Sequence, residues 1–492
     1  MKTCVIIGGG IGGLVTGALL AKEGYQVTVL EKNTIIGGGL QTFKRHGASF
    51  PTGMHVFGGF QDGGNLRKIF EYLGVMDEVS LCPTDEIASD VVTVMSEGIT
   101  YSLPQGKRRF IAYLSTMFPA EREHIEAYIN RLFELSEEED LFYLRETNEN
   151  HLSHSEDFLG SVDQLRDRYL TDPKLKALLG YLNPLFGSDP KTTPAYIHAL
   201  LSTLHINGTF QFVGESQQLA NALAKVIKTA GGQVLANEEV VSIEVENHQV
   251  TDVVTQKGLH YQADSYISDV HPDVLLRIID PQAFTTAFKT RVQSVPETMS
   301  SFKVFVKFKE KAFPYQNHAH FCLSDTDDWP QSLMFVTPPV AQQGDFAETM
   351  VVIAPMEFSC VKQWEYTHTG HRGEDYEQWK QTTTDKILDA MERLYPDFRE
   401  KIEFVFASSP LTIRDYYGNK EGSNYGFQKD SNNPMLSQMS VSTKVKNLFL
   451  TGQNVNIHGL CGVSLTAIET VEAMVGQNEI VHKINKYCPN RS

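Results

Sequence analysis

The first 33 residues constrain the fold more than any other part of this chain. An apolar run at residues 3–7, too short for a helix, is followed by five glycines in six residues. A run with helical spacing at residues 14–23 and a second apolar run at residues 26–31 come next. Gly8, Gly10 and Gly13 fill the pattern G-x-G-x-x-G. Strand, glycine turn, helix and strand in this order are typical of a dinucleotide-binding unit.

The motif residues also favour one kind of dinucleotide. The first glycine permits a tight turn, the second lets a pyrophosphate approach the helix N-terminus, and the third lets helix pack on strand. Glu31 ends the second strand, where a carboxylate favours an unphosphorylated ribose and so FAD or NAD rather than NADP. A secretory signal is the alternative, but glycines this dense make a poor apolar core for one.

Length and charge set further limits. At 492 residues the chain is long enough for three domains or for two large interleaved ones. The formal net charge of -17 disfavours nucleic acid and electrostatic adhesion to anionic lipid, so any peripheral membrane contact has to be apolar. No apolar run approaches the length of about 18 residues that spans a bilayer. The six cysteines show no C-x-x-C pairing, and we therefore expect a cytoplasmic protein.

Two further glycine-rich segments predict contacts with the same cofactor. Clustered glycines at residues 36–59 suit close approach of a planar ring or of phosphates, although a long surface loop is the alternative. Residues 447–469 predict a buried strand, a glycine turn and a helix that starts at about residue 463. The N-terminus of that helix supplies a dipole for the flavin end of the cofactor.

The intervening sequence predicts two other structures. Residues 217–268 predict a helix and short alternating strands, a second portion of the nucleotide-binding domain. Strands at residues 300–309 and 349–355 suggest a separate sheet. The apolar residues 181–187 and 195–201 have three interpretations: they line an apolar pocket, they contact a membrane, or they form ordinary core.

Together these motifs resemble one group of flavoproteins. GGGLQTF at residues 37–43, TGMH at 52–55, TIRDYY at 412–417, and TGQN with HG at 451–459 join the N-terminal motif. The combination resembles the phytoene desaturase and retinol saturase group of FAD-dependent oxidoreductases. The closing motif is most similar to bacterial proteins of the all-trans-retinol 13,14-reductase type, and the similarity runs end to end.

The resemblance implies an α/β fold with FAD as cofactor. A Rossmann-like FAD-binding domain from residues 1–64, 214–285 and 421–492 would be interleaved with an α+β substrate domain from residues 65–213 and 286–420. The residues that match the group's FAD contacts are Gly8, Gly10, Gly13 and Glu31 at the pyrophosphate and ribose, Gly38, Gly39 and Gly53 in the glycine-rich loops, Val240 at the adenine, and Gly452, Gln453, Gly462 and Val463 at the flavin and ribityl chain.

Three positions depart from the pattern of the group. Gln453 stands where many relatives carry an acid, and Leu40 stands where a basic residue is common. A common Gly-Gly-Ser before the middle helix is Gly-Glu-Ser at residues 214–216. These departures leave the cofactor site in place but weaken a close transfer of function.

Three side chains are candidate catalytic residues. His55 and His458 lie in loops expected at the flavin and, because histidine titrates near neutrality, either can donate a proton or orient the ring; retention by backbone hydrogen bonds is the alternative. Arg414, with Tyr416 and Tyr417, lies where the second insert returns to the FAD domain. These three residues line a substrate channel or form an interdomain salt bridge and packing.

A metal site is disfavoured. His318, His320 and Cys322 alternate, so a strand would present all three on one face. No second ligand pair accompanies them, and we expect no metal.

The leading hypothesis is an FAD-dependent oxidoreductase that adds or removes hydrogen across a carbon–carbon bond of an apolar isoprenoid or polyene. The alternatives are a flavin amine oxidase, a flavin-dependent carotenoid isomerase and a flavin-bound lipid carrier without turnover. Paired aromatic rings around the flavin would favour the amine oxidase.

Overall fold

The computed structural model describes residues 1–147, 154–324 and 328–488, so parts of the predicted domains at residues 148–153, 325–327 and 489–492 lie outside it. The strands are β1 Thr3–Ile7, β2 Gln26–Leu30, β3 Thr42–Arg45, β4 Ala48–Pro51, β5 Phe57–Gly58, β6 Leu81–Pro83, β7 Asp90–Val94, β8 Ile99–Leu103, β9 Thr209–Phe212, β10 Gln233–Leu235, β11 Val240–Glu246, β12 Gln249–Thr255, β13 His260–Tyr261, β14 Ser265–Ser268, β15 Ser300–Phe308, β16 Ala319–Leu323, β17 Ser332–Val336, β18 Thr349–Met356, β19 Ile402–Ser408 and β20 Leu448–Leu450. The α-helices are α1 Ile11–Lys22, α2 Asn65–Leu73, α3 Lys107–Met117, α4 Arg122–Glu137, α5 Glu156–Leu159, α6 Val162–Tyr169, α7 Pro173–Leu178, α8 Ala195–Asn207, α9 Gln217–Thr229, α10 Pro272–Ile278, α11 Thr286–Ser294, α12 Glu374–Leu394, α13 Pro410–Tyr417, α14 Pro434–Ser437, α15 Gly459–Val475 and α16 Glu479–Tyr487.

A five-stranded parallel sheet carries the dinucleotide motif. Its strand order is β10-β2-β1-β14-β20, and every neighbouring pair is parallel. The short apolar run of β1 is almost wholly buried, as expected for a strand covered on both faces. From β1 the chain goes to β2 on one side, while β14 pairs on the other side. The carboxyl ends of these strands therefore meet at a topological switch point, where α/β sheets bind ligands.

Two helices cover this sheet and begin earlier than the sequence predicts. α1 starts at Ile11 rather than at residue 14, and α15 starts at Gly459 rather than at about residue 463. Glycine usually indicates a loop. The glycines in the first turns of α1 and α15 therefore make the starts of these helices difficult to recognise in the sequence. The first N–H groups of a helix have no partner within it, and glycine in that turn leaves them accessible to a ligand.

A second sheet of seven strands stands apart from the first, which confirms the separate sheet predicted from the sequence. Its order is β19-β15-β18-β17-β16-β7-β8. The strands β7 and β8 precede the second part of the nucleotide-binding sheet in sequence, whereas the other five follow it. They are joined by parallel pairing of β7 with β16. The strand positions are compatible with interleaved domains, whose boundaries stay a prediction.

One row of residues runs across this seven-stranded sheet. Lys303 on β15 is opposite Ile353 on β18, which is opposite Met334 on β17. Met334 is opposite Phe321 on β16, and Phe321 is opposite Val92 on β7. Side chains directly opposite one another share a face of a sheet. These five side chains therefore form a continuous row on one face.

Among the described helices none is by itself long and apolar enough to cross a bilayer. The pair α15 and α16 passes the same test when the two are taken together, and the two helices are bent by 119° relative to each other.

Candidate active site

At the carboxyl edge of the five-stranded sheet, main-chain atoms form a surface, here called the glycine cradle. It contains Gly8, Gly10, Gly12, Gly38 and Gly452. Gly8 follows β1 with φ 105°, a conformation that favours glycine. A Cβ on Gly12 would lie 3.1 Å from the Cα of Gly452, and a Cβ on Gly38 would lie 3.3 Å from the Cα of Gly10. Segments far apart in sequence thus pack backbone against backbone, and glycine at these positions keeps the surface open.

Two more predicted glycines shape the cradle. A Cβ on Gly13 would collide with the carbonyl oxygen of Gly8, so Gly13 lets α1 pack on the end of β1, the task predicted for it. A Cβ on Gly53 would lie 2.8 Å from the hydroxyl of Tyr417 and 3.2 Å from the Cα of Gly39. Gly53 therefore brings the TGMH segment against the second glycine loop.

Glu31 is fixed at the end of β2. Its Oε2 accepts a hydrogen bond from the N–H of Gly9, and its Oε1 accepts one from the N–H of Asn33, both at 2.8 Å. The residue is 6% exposed and faces the cavity described below. Val240, which the resemblance places at the adenine, lines the same cavity. The carboxylate is thus held at the cavity, and its contact with a ribose stays a prediction.

Asp269, which sequence analysis did not single out, lies at the centre of the cradle. It follows β14 directly and accepts hydrogen bonds from the N–H groups of Gly10 and Gly13. Burial raises the pKa of its carboxyl group to about 7. The N–H groups at the start of α1 thus point out of the helix toward an acidic group, in the arrangement by which helix N-termini bind phosphates. An acid directly after a parallel strand was the available signal.

The predicted cofactor residues converge on a single cavity. Those that line it are Gly8, Gly10, Glu31, Gly38, Gly39, Gly53, Val240, Gly452, Gln453, Gly462 and Val463. They supply a side-chain-free surface, helix N-terminal donors and a carboxylate for a ribose. These features fit FAD.

Lys303 is a second cavity-lining residue that could not be recognised from the sequence motifs. It is 6% exposed, lines the cavity, and its Nζ donates to the carbonyl oxygen of Thr52 at 2.7 Å. Burial lowers the pKa of its ammonium group to about 8. Because Thr52 precedes Gly53, the ammonium group lies beside the cradle. The available signal was a lysine between the apolar residues Phe302 and Val304 of β15, since a buried lysine is unfavourable without a partner.

His55 lies near Lys303, but it is not the neutral-pH acid expected from the sequence. Neither ring nitrogen has a hydrogen-bond partner in the described part of the chain, and both are buried. Burial, together with the charge of Lys303, lowers the pKa of the imidazole to about 3. His55 is therefore neutral at pH 7. The residue lines the cavity that also contains the predicted cofactor residues.

His458 precedes α15 and is held by the main chain. Its Nε2 donates to the carbonyl oxygen of Leu185 at 3.1 Å, and its ring packs 4.6 Å from that of Tyr425. Burial lowers the pKa of His458 to about 4, so the expectation that it titrates near neutrality is wrong as well. Two expectations for His458 therefore hold together. The residue lines the cavity, and a hydrogen bond to the backbone fixes its ring.

Arg414 does not line the cavity. Its guanidinium donates to a carboxylate oxygen of Asp415 and to the carbonyl oxygens of Glu365 and Thr367. Of the two alternatives for Arg414, the substrate channel and the interdomain salt bridge, the structure shows neither, because its partners Asp415, Glu365 and Thr367 all lie within residues 286–420. Tyr417, three residues along α13, does line the cavity.

The rest of the cavity is apolar. Its floor contains Lys303, Ile353, Met334 and Phe321, four members of the row across the seven-stranded sheet. Residues from both segments for which a pocket was one interpretation also line it, namely Tyr181, Pro184, Leu185, Gly187, Ile197, Leu200 and Leu201. The structure thus favours the pocket over ordinary core for these residues. The cavity joins a polar backbone cradle to an apolar binding surface.

The alternating His318, His320 and Cys322 have other partners. His320 shares a hydrogen bond of 2.8 Å with the hydroxyl of Thr93, and Cys322 is buried in the core on the other face of the seven-stranded sheet from the cavity. In residues 1–147, 154–324 and 328–488, no group of three or more His, Cys, Asp or Glu side chains is arranged to hold a metal ion.

A glycine cradle for a dinucleotide that opens into an apolar cavity defines an FAD-dependent oxidoreductase. A sequence model of the flavin containing amine oxidoreductases matches residues 11–474, and the chain belongs to this family.

Three curated relatives align over nearly the whole chain. All-trans-retinol 13,14-reductase of Danio rerio is 25% identical over 96% of this chain and 86% of its own length. Prolycopene isomerase 2, chloroplastic, of an Oncidium hybrid cultivar is 24% identical over 92% of this chain and 79% of its own. The 4,4'-diaponeurosporene oxygenase of Staphylococcus aureus (strain MW2) is 24% identical over 93% and 95%.

Solved structures share the fold. An oxidoreductase from Methanosarcina mazei superposes with a TM-score of 0.68 at 16% identity and covers 96% of this chain and 100% of its own. A putrescine oxidase superposes with a TM-score of 0.66 at 15% identity over 96% and 98%.

Proposed function

We propose that this FAD-dependent oxidoreductase transfers hydrogen to or from a carbon–carbon bond of an apolar isoprenoid or polyene. The observation that carries the proposal is the single cavity that extends from the glycine cradle to the apolar row Ile353, Met334 and Phe321. A conjugated hydrocarbon chain matches that row because it offers apolar surface along its length. The names of the curated relatives support the same substrate class.

The chain's own residues prepare the cavity for this chemistry. FAD, when bound, exchanges a hydride with a substrate carbon. The neighbouring carbon must gain or lose a proton. Lys303, with a pKa of about 8, is charged at pH 7 and can donate that proton, whereas the neutral His55 and His458 are poor acids. The apolar floor excludes water from the reacting bond.

An amine oxidase is the second candidate function. Tyr417 and Tyr425 both line the cavity, and paired aromatic rings around a flavin would favour an amine substrate. The apolar row Ile353, Met334 and Phe321 favours the polyene, because a charged amine gains nothing from an apolar surface.

The test is anaerobic stopped-flow absorbance of the FAD-loaded enzyme. Chemically reduced enzyme is mixed with all-trans-retinol or a carotenoid, and oxidised enzyme is mixed with the corresponding saturated compounds and with putrescine. Reoxidation by a polyene, or reduction by its saturated counterpart, supports the proposal and gives the direction. Reduction by putrescine with no response to any polyene contradicts it. Binding of a polyene without any redox change favours the carrier.

A cytoplasmic location with apolar contact at a membrane belongs to the same proposal. It is supported by the substrate class, because long polyenes dissolve in membranes rather than in water. Fractionation of cells that express the tagged chain, with and without a high-salt wash, tests it. Salt should not release a membrane-associated fraction, since the net charge of -17 opposes electrostatic adhesion.

A further inference from the structure

One end of the apolar cavity contains three polar side chains that the chemistry above does not use. His205 on α8 and Tyr181 line the cavity, and Asp90 lies behind them at the start of β7. The Nδ1 of His205 is 2.8 Å from the Oδ2 of Asp90, and the hydroxyl of Tyr181 donates to the same oxygen at 2.9 Å. Both side chains of the His205–Asp90 pair are 3% exposed.

These contacts fix which atom of His205 is available. A carboxylate only accepts hydrogen bonds, so Nδ1 carries a proton and donates it to Asp90. The opposite nitrogen, Nε2, has no hydrogen-bond partner among the described residues, and the ring lines the cavity. Asp90 therefore sets the orientation of an imidazole whose free nitrogen faces the cavity, as a carboxylate does for many ligand-binding histidines.

The position of this group relative to the cradle follows from the sheet. The rings of Tyr181 and His205 pack 5.0 Å and 6.5 Å from that of Phe321, the last cavity-lining member of the row. Lys303 is on β15 and Asp90 is on β7, four strands apart in the sheet order. Neighbouring strands are about 4.8 Å apart, which places the two strands about 19 Å from each other.

We propose that His205, positioned by Asp90 and Tyr181, binds an oxygen-bearing end group of the substrate at the β7 end of the cavity. This inference rests on the proposed function and narrows it: the substrate is a polyene with a polar end, such as an alcohol, rather than a hydrocarbon with two apolar ends. Burying an unpartnered imidazole nitrogen against a hydrocarbon end is unfavourable, whereas a hydroxyl satisfies it. Holding that end at β7 fixes how far along the chain the bond beside Lys303 lies.

The test compares all-trans-retinol with all-trans-axerophthene, the same polyene with hydrogen in place of the hydroxyl group. Dissociation constants are measured with oxidised, FAD-loaded enzyme from the perturbation of the flavin spectrum. We expect retinol to bind at least about tenfold more tightly. Equal affinity in the wild-type enzyme overturns the proposal and needs no variant. If neither compound binds or reacts, the proposed function itself fails, and the two failures are thereby distinguished.

Variants then assign the preference to His205. In His205→Leu we expect the preference for retinol to vanish, because retinol loses its hydrogen bond and axerophthene no longer buries an unpartnered nitrogen, while FAD content stays unchanged. His205→Gln, which keeps a polar end, should retain part of the preference. His198→Leu is the matched control, because His198 is a buried histidine of α8 that pairs with Tyr128 and does not line the cavity. A preference for retinol that persists in His205→Leu contradicts the assignment.

Discussion

The two ends of the cavity are built from different materials. At the cofactor end the wall is made of main-chain atoms. Glycine leaves these atoms uncovered, as where Gly12 approaches Gly452. At the substrate end the wall is side chains, with Ile353, Met334 and Phe321 contributed by three strands of one sheet. A pyrophosphate is bound by N–H groups and tolerates no bulk, whereas a hydrocarbon needs apolar area.

The difference teaches where each property of the enzyme can be changed. The cradle is common to any substrate because FAD is always the same ligand. The apolar floor and the polar group at β7 decide what lies against the flavin. Lys303 stands at the boundary, with its Nζ on the main chain of Thr52 and its stem in the row. Changes at the cofactor end should therefore abolish function, and changes beyond Lys303 should alter rate or selectivity.

The largest effect should come from filling the cradle. A Cβ on Gly10 would lie 2.8 Å from the Oδ2 of Asp269 and would point where the pyrophosphate approaches. We expect Gly10→Val to lose FAD essentially completely, measured as flavin absorbance per mole of purified protein. Gly344→Ala is the control, since no atom lies within 4 Å of a Cβ at that position. A full flavin complement in Gly10→Val would show that the cradle does not bind the cofactor.

Removal of the ammonium group at the boundary should slow hydrogen transfer without removing FAD. We expect Lys303→Met to lower the single-turnover rate by about 100-fold, the usual contribution of a positioned acid. In the wild-type enzyme the rate of polyene reduction should fall as pH rises through about 8, because Lys303 loses its proton there. This decrease in rate should be absent from Lys303→Met.

Lys307→Met is the matched control for this experiment. Lys307 lies on the same strand, but its Nζ donates to the carbonyl oxygen of His46 and to Glu403, outside the cavity. An equal loss of rate in both variants would assign the effect of Lys303→Met to strand stability rather than to chemistry.

A smaller effect is expected from Asp269, through pH. Below a pH of about 7 its carboxyl group is protonated and compatible with a neighbouring pyrophosphate; above that pH its charge repels the phosphates. FAD affinity should therefore weaken as pH rises above 7, by at most about tenfold per pH unit. Asp269→Asn should flatten this dependence, whereas Asp264→Asn, at a solvent-exposed carboxylate bonded to Thr3, should not. The measurement is FAD titration of apoenzyme at several pH values.

The smallest effect is expected at His458. His458→Ala removes one hydrogen bond to Leu185, worth about 1 kcal/mol, and no acid that is charged at pH 7. We expect FAD to remain bound and turnover to slow by no more than about fivefold. A loss of 100-fold would make His458 a catalytic residue in its own right and would move the proton donor away from Lys303.

The cofactor end could be predicted from the sequence because its determinants are local. Gly8, Gly10 and Gly13 fall within six residues, and the short strands around them have the expected periodicity. Even there, Asp269 was missed, because it reaches the cradle only when β14 pairs with β1. The starts of α1 and α15 were placed three or four residues late, because both helices begin among glycines.

The substrate end could not be predicted in the same way. Its row is assembled by strand register between residues that are distant in sequence, such as Phe321 and Val92. Strand register cannot be determined from a single sequence. In addition, no local motif marks Lys303 or His205. The pKa values of His55 and His458 were also misjudged, because the ordinary value for histidine does not include burial.

The central claim is that one cavity places a polyene between the FAD cradle and the apolar row. A crystal structure of the FAD-loaded enzyme with bound all-trans-retinol tests it most directly. We predict the pyrophosphate at Gly8 to Gly13, the flavin beside Lys303, and the polyene along Ile353, Met334 and Phe321. Retinol bound elsewhere on the molecule, or a flavin ring separated from that row by protein, would contradict the account.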